Sequence, residues 1–377
     1  MSKTSEDSGD LRATSALVGD LLAGRAADAR RRLERGEPTP ADLPRIADRQ
    51  SLGWFLVEHL DASGLRDVLP DDVVTPLEEN ARRRQAMRDR QVAGLPEILA
   101  ALESAGATPV LLKGHHLRSR FPRVAARTFL DSDVLVPRAR AEDAERALVA
   151  LGFELASRPL VTAALSRRFA HGFDFVRGDQ RVDLHWSLAS HWSYAIEEAG
   201  HWRRAGDLAL PGGGAARVLA DQDVLHELLV SFFEDLDRGG GRLRSAVDVE
   251  AVLSVVDATL DWESFWRARE IDRTAGPCSS ALAVALASIA ARDRFPGACR
   301  GLEAARPGAA VDDREAAVLL GRSAGVRHNK RWAMDRYDCP RWKHGAWWLA
   351  SLPFRLSIYG RRPAPATSPA RTGFPAA

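Results

Sequence analysis

Three aspartates at strand-like spacing are the residues of this chain best suited to catalysis. Asp131 and Asp133 begin the run DSDVLV (residues 131–136), and Asp183 lies in VDLHW (residues 182–186). Because strand side chains alternate between faces, Asp131 and Asp133 project to one side, and Asp183 joins them if the two strands are neighbours. Such a cluster is costly unless a cation neutralises it, and Mg²⁺ (or Mn²⁺) favours carboxylate and phosphate oxygens. The spacing therefore predicts metal-assisted phosphoryl or nucleotidyl transfer.

The three carboxylates have separate expected roles. Nucleotidyl transfer uses one cation to activate the attacking oxygen and another to hold the triphosphate. We expect Asp131 and Asp133 to bridge both cations, and Asp183 to complete the site of the activating one. Asp183 is also a candidate to accept the proton of an attacking hydroxyl. In the alternative interpretation, Asp131 caps a loop and Asp133 merely faces the surface.

Candidate nucleotide-binding residues precede the first aspartate pair. Lys113 and Gly114 end an apolar segment, LLKG (residues 111–114), where a glycine lets backbone N–H groups approach a phosphate and the lysine supplies charge. Arg127, four residues before Asp131, is a candidate to neutralise phosphate or to brace the acidic cluster by a bidentate contact. The alternatives are an ordinary turn with an exposed lysine and a loop arginine without a role.

Two histidines are candidates for acceptor or supporting residues. His185 shares a strand face with Asp183, and His115 follows Gly114. The alternative for His185 is a half-buried histidine that is hydrogen-bonded to a neighbour. The sequence has no zinc-ligand spacing, no GxSxG nucleophile motif and no GxxxxGK[ST] phosphate loop.

The elements that must position these residues form an α+β pattern. We predict strands at 108–112, 131–137, 153–156, 172–177 and 181–186, the last two joined as a hairpin by Gly178-Asp179-Gln180. The predicted organisation is an N-terminal helical region (1–80), a mixed-sheet core (81–210), a C-terminal helical domain (211–360) and a disordered tail (361–377). Helices are predicted at 221–236, 243–255 and 262–269, among others.

Composition limits the class of protein. The 377 residues carry 53 basic and 51 acidic side chains, a net charge of +2 that argues against extended nucleic-acid binding. Three widely spaced cysteines predict neither a disulfide framework nor a zinc site, and they favour a cytoplasmic location. No apolar run is long enough for a transmembrane segment.

Taken in order, the motifs resemble an uncharacterised family of bacterial nucleotidyltransferases that are often found near biosynthetic genes. The matching elements are LLKG (111–114), Arg127, DSDVLV (131–136), Leu151-Gly152-Phe153 and DLHW (183–186). The resemblance implies a polymerase-β-like core and Mg²⁺-dependent transfer of a nucleoside monophosphate from an NTP to an acceptor hydroxyl. The expected acceptor is a small molecule, a sugar or a peptide. The resemblance also implies that Asp131, Asp133 and Asp183 are the acidic triad, and that Lys113 and Gly114 form the turn on the nucleotide side.

Two positions depart from the family pattern. Leu130 stands where a small residue is usual, and Ser132 stands where an apolar residue is usual. Because Ser132 points to the normally buried face, it predicts that the strand lies at a sheet edge or pairs differently. Both departures favour a second hypothesis, a catalytically silent module that recruits a peptide or protein partner. A third is a toxin-like or antitoxin-like transferase acting on RNA or protein, against which the near-neutral charge argues.

Overall fold

A computed structural model of the chain describes residues 3–156, 170–189, 192–210, 214–308, 311–321, 325–339 and 343. The predicted disordered tail, 361–377, lies outside the described residues. The described helices are α1 (Lys3–Leu22), α2 (Ala26–Glu34), α3 (Leu43–Arg49), α4 (Gly53–Ala62), α5 (Asp71–Ser104), α6 (Lys113–Arg120), α7 (Ala141–Ala150), α8 (Glu198–Arg204), α9 (Asp221–Asp237), α10 (Leu243–Val256), α11 (Trp262–Ile271), α12 (Ala275–Ser288), α13 (Pro296–Ala305), α14 (Asp313–Leu320) and α15 (Gly325–Met334). The strands are β1 (Val110–Leu111), β2 (Ser132–Leu135), β3 (Glu154–Leu155), β4 (Gly172–Arg177), β5 (Gln180–His185), β6 (Gly206–Ala209) and β7 (Ala215–Val218).

The strands form one mixed sheet in the order β3-β4-β5-β2-β1-β7-β6. β2 pairs in parallel with β5 on one side and antiparallel with β1 on the other. The α+β fold class predicted from the sequence is therefore confirmed. The expectation that Ser132 places its strand at an edge is wrong, because β2 is the central strand of the seven.

The hairpin predicted around Gly178 is present as the antiparallel pair β4 and β5. The last two strands, β6 and β7, were not predicted. Each has only four residues, and together they contain a single β-branched residue, Val218, so they lack the pattern typical of strands. β7 nevertheless pairs in parallel with β1, and the sheet therefore continues past residue 210.

The two faces of the sheet belong to different hydrophobic cores. Val134 and Leu184 pack with the C-terminal half of α5 and with α7. Leu135 lies on the opposite face, in a core shared with α1, α4, α9, α10 and α12. Because side chains alternate along a strand, Asp133 and His185 project to this second face, toward the helices that follow the sheet.

The N-terminal and C-terminal helices pack directly on one another. The backbone of Gly19 in α1 approaches the end of α12 so closely that an added Cβ would lie 2.4 Å from the carbonyl oxygen of Ile289. A side chain at residue 19 would push the helices apart, so glycine is required there. None of the described helices combines the length and hydrophobicity needed to cross a bilayer.

Candidate active site

Pairing of two parallel strands brings two of the predicted aspartates together. Asp133 of β2 is the direct partner of Asp183 of β5. The nearest ligand atoms of Asp133, Asp183 and His185 all lie within 4.8 Å of one another. His185 Nε2 is 3.3 Å from Asp133 Oδ1 and 3.1 Å from Asp183 Oδ2. The fold therefore builds a compact set of two carboxylates and one imidazole.

Asp131 lies beside this set and is not a member of it. It immediately precedes β2, and the structure gives it no hydrogen bond or ion pair among the described residues. Burial, together with the charges of Asp133 and Asp183, raises the pKa of Asp131 from 3.8 to about 6. A cation that approached Asp131 would therefore stabilise the charged form of its carboxyl group.

Lys113 supplies a cation to the cluster from a strained backbone position. Its φ is +39°, in the left-handed region that is unfavourable for residues other than glycine. The ammonium Nζ lies 3.4 Å from Asp133 Oδ1 and 3.6 Å from Glu227 Oε1 of α9. Strain at a residue that carries charge into a buried cluster is typical of functional sites.

The reason for glycine at position 114 is a close packing contact. A Cβ on Gly114 would lie 2.6 Å from Cγ of Phe129, so no side chain fits. It is Lys113 that takes the positive φ at this turn. The role of Gly114 in approaching a phosphate stays a prediction.

The cluster neutralises itself with two side-chain cations. Burial alone would raise the pKa of Asp133, but Lys113 and His185 outweigh it and hold that pKa well below its usual range. Burial would likewise lower the pKa of His185, but Asp183 and Asp133 raise it to about 10. At neutral pH an imidazolium and an ammonium therefore contact the carboxylate oxygens that a divalent cation would use.

Arg127 makes a bidentate contact, but with a helix beyond the sheet. Its Nε and Nη2 lie 2.8 Å and 3.0 Å from the two carboxylate oxygens of Asp248 in α10, and the side chain is 3 % exposed. Burial would lower the pKa of Arg127, but Asp248, Asp133 and Asp131 raise it. Arg127 therefore joins the loop before β2 to α10, next to the acidic set.

His115 bonds the serine that departs from the family pattern. Its Nε2 lies 2.9 Å from the Ser132 hydroxyl, and both residues are buried. Burial lowers the pKa of His115 to about 4, so the ring is neutral at pH 7. The polar Ser132 is thus satisfied inside the sheet and does not disturb the pairing of β2.

Several charged residues at the site were missed in the sequence. Glu227, Asp248 and Arg244 lie on α9 and α10, about a hundred residues from the first aspartates, with no local signal to connect them. Asp174 lies directly opposite Asp183 in the observed hairpin, whereas the predicted three-residue turn would have paired it with Leu184. Burial and the charge of Asp183 raise the pKa of Asp174 from 3.8 to about 6.

A cavity of about 130 Å³ lies beside the acidic set. Its walls come from the loop before β2, from β5 and from the helices that follow the sheet. They include Lys113, Arg127, His171, His185, Ser231, Glu234, Asp235, Arg238, Arg244, Ser245 and Asp248. Pockets that enclose a whole small-molecule ligand typically measure about 300–1,000 Å³, so this one suits a group of a few atoms.

A family model described as an uncharacterised nucleotidyltransferase matches residues 37–286 of this chain. The matched range includes the whole sheet and all the site residues described above. A search of the curated proteins finds no match.

Proposed function

The chain belongs to this uncharacterised nucleotidyltransferase family, and we propose that it transfers a nucleoside monophosphate from an NTP to a hydroxyl group of a small-molecule, sugar or peptide acceptor. The observation that carries the proposal is the register of β2 and β5, which pairs Asp133 directly with Asp183. Two carboxylates fixed on adjacent parallel strands are a rigid platform for the charge of a metal–triphosphate complex.

The residues present fit a divalent cation. Asp133 and Asp183 offer carboxylate oxygens at close range, and Asp131 adds a carboxylate without an ion-pair partner among the described residues. These hard oxygen donors suit Mg²⁺ or Mn²⁺. When bound, such a cation would neutralise phosphate charge and acidify the attacking hydroxyl.

The chain's own groups would then share the remaining work. Lys113, whose ammonium lies beside the carboxylate of Asp133, would contact phosphate oxygens. Asp183 would accept the proton of the acceptor hydroxyl, and Asp174, opposite it in β4, is a second candidate for that role. Because His185 holds the same oxygens that the cation would use, we expect metal binding to release a proton.

Metal-dependent nucleotide binding tests the proposal. The purified protein would be titrated with each NTP by calorimetry, with and without Mg²⁺ or Mn²⁺, beside the variants Asp131→Asn and Asp133→Asn. We expect tight binding that needs metal and is lost in both variants. Asp67→Asn, at an exposed position, is the matched control and should behave as wild type. Binding that is unchanged in Asp131→Asn and Asp133→Asn would contradict the proposal.

One observation favours the second candidate, a silent binding module. Lys113 and His185 already neutralise the carboxylates, as metal ions would in an enzyme. A silent module predicts no metal-dependent NTP binding and no effect of Asp183→Ala on function in cells. Pyrophosphate release from an NTP that disappears in Asp183→Ala would exclude it.

A further inference from the structure

Besides the imidazolium of His185, four cationic side chains of the described residues line the cavity beside the acidic set. Lys113 and Arg127 come from the sheet side, and Arg238 and Arg244 from α9 and α10. Three of the four contact carboxylates. Lys113 contacts Asp133 and Glu227, Arg127 is paired with Asp248, and Arg238 bonds Glu234 at 2.9 Å. Arg244 has a longer ion pair, with Asp248 at 4.0 Å.

Arg244 is a cation without a hydrogen-bond partner among the described residues. Its nearest carboxylate oxygen, Asp248 Oδ2, lies 4.0 Å from Nε, beyond hydrogen-bond range. That oxygen already accepts a hydrogen bond of 3.0 Å from Nη2 of Arg127. The Nε atom of Arg244 is buried and unpartnered, while 25 % of its side chain remains accessible.

A guanidinium whose buried Nε has no hydrogen-bond partner has a free-energy cost that an anion would remove. Burial, and then the neighbouring charge of Arg127, lower the pKa of Arg244 to about 10. Guanidinium groups bind phosphate oxygens with two parallel hydrogen bonds, and their N–H groups have a fixed direction. An anion with several oxygens would therefore satisfy Arg244 and offset the repulsion between the two arginines.

The N-terminal helical region holds Arg244 in place. Gln50, between α3 and α4, accepts a hydrogen bond of 2.7 Å from the backbone N–H of Leu243, the first residue of α10. Beside it, Arg242 Nη1 lies 3.3 Å from the Ser51 hydroxyl. Because the first turn of α10 is fixed from outside the sheet, the guanidinium that follows is positioned before any ligand arrives.

We propose that Arg244, beside the Arg127–Asp248 pair, binds the terminal phosphates of the nucleoside triphosphate and retains them as pyrophosphate after transfer. The inference rests on the proposed function for its substrate. The cavity, at about 130 Å³, holds phosphate groups and leaves the nucleoside outside. It follows that Arg244 distinguishes triphosphates from monophosphates.

Calorimetric titration with inorganic pyrophosphate, with and without Mg²⁺, tests this inference. We expect wild-type protein to bind pyrophosphate, and Arg244→Gln to bind it about ten- to a hundredfold more weakly, the range for a charge-assisted contact. Arg267→Gln is the control, because it removes the same charge at an exposed residue of α11 outside the cavity. It should bind within about twofold of wild type.

Arg244→Lys and thermal unfolding separate binding from folding. The lysine variant keeps the charge but loses the paired N–H groups, so its affinity should lie between those of wild type and Arg244→Gln. The inference is wrong if wild type binds no pyrophosphate, if Arg244→Gln binds as wild type does, or if Arg267→Gln loses as much affinity as Arg244→Gln.

These outcomes are distinct from failure of the proposed function. If Arg244→Gln loses pyrophosphate binding but wild type transfers nothing to any acceptor, the anion site is supported and the proposed enzymatic function is contradicted. If wild type and Arg244→Gln show the same metal-dependent transfer, the enzymatic function is supported and the role of Arg244 is contradicted.

Discussion

Two buried charged clusters in this molecule are built in opposite ways. The first is the acidic set of Asp133, Asp183 and His185 with Lys113. The second, the helix-joint cluster, consists of His201 and Arg204 of α8 with Asp223 of α9. In the helix-joint cluster Arg204 makes two contacts of 2.8 Å with Asp223, and His201 adds one of 3.0 Å.

The contacts of Lys113 in the acidic set are longer than those of the helix-joint cluster, and carboxylate oxygens there remain available to a ligand. Lys113 lies 3.4 Å and 3.6 Å from its carboxylates, and Asp131 beside it has no ion-pair partner among the described residues. The central aspartate is buried in both clusters, so burial alone does not identify function. A charged cluster whose carboxylate is fully paired at short range joins two helices, whereas one with long contacts and unused oxygens has room for a ligand.

The largest difference between the clusters should appear on replacing their central aspartates. We expect Asp133→Asn to reduce pyrophosphate release from an NTP by about a thousandfold, because it removes a charge that the transition state needs. Because the variant also removes the anion that pairs with Lys113 and His185, it should be less stable than wild type, and activity is compared on protein shown to be folded by circular dichroism. Activity within about tenfold of wild type would contradict the assignment of Asp133.

Asp223→Asn should instead act on stability. Breaking a buried ion pair costs about 3–5 kcal/mol, and the partial exposure of Arg204 (40 %) places this case near the lower end. Chemical denaturation measures the loss in the free energy of unfolding. Metal-dependent NTP binding by the folded variant should match wild type, and a large loss of affinity at full stability would show that the clusters are coupled.

Glu227→Gln should weaken Mg²⁺–NTP binding by about tenfold, the lower end for residues that support a metal site. Without the carboxylate of Glu227, Lys113 has only Asp133 as a close partner and competes more strongly with the cation. Glu263→Gln is the control, because it makes the same change at an exposed carboxylate of α11 outside the cavity. Calorimetry that gives equal affinities for Glu227→Gln and wild type would show that Glu227 does not restrain the lysine.

The pH dependence of stability should also differ between the clusters, with a smaller effect. The pKa of Asp131 is raised from 3.8 to about 6, so between these values the folded protein holds a proton that the unfolded chain has released. Without metal, stability from this residue falls as pH rises from about 4 to 6. The pKa of Asp223, which burial would raise, is lowered by His201 and Arg204, so its contribution is lost only at more acidic pH.

Denaturation at several pH values, with and without Mg²⁺, measures this effect. Stabilisation by Mg²⁺ should increase as pH rises through about 6, because the cation needs ionised Asp131. Asp131→Asn should flatten both dependences. A wild type and an Asp131→Asn variant with the same slope would contradict the raised pKa.

Much of the fold and part of the site were accessible from sequence. Periodicity located α9, α10 and α11 to within about two residues, and the glycine turn located the β4–β5 hairpin. Alternation along two strands was enough to expect Asp133 near Asp183. The packing of α9 and α10 against the sheet depends on contacts between distant segments, and so Glu227, Asp248 and Arg244 had no local signal.

For two residues the structure supplies contacts that local patterns did not show. Ser132 suggested a strand at a sheet edge or with different pairing, but its polarity is matched by His115 from α6. Gly114 suggested a phosphate contact, and the structure supplies a packing reason in Phe129. In both cases the deciding neighbour lies 15 to 17 residues away, beyond what the spacing of a motif can show.

The left-handed backbone at Lys113 means that this position gives up folding free energy for the sake of its ammonium group. Lys113→Gly would relieve about 1 kcal/mol of that strain while deleting the charge. The same change would leave the carboxylates of Asp133 and Glu227 without their cation, and breaking a buried ion pair costs about 3–5 kcal/mol. We therefore expect the variant to melt at a lower temperature, because the ion pairs outweigh the backbone strain at this turn.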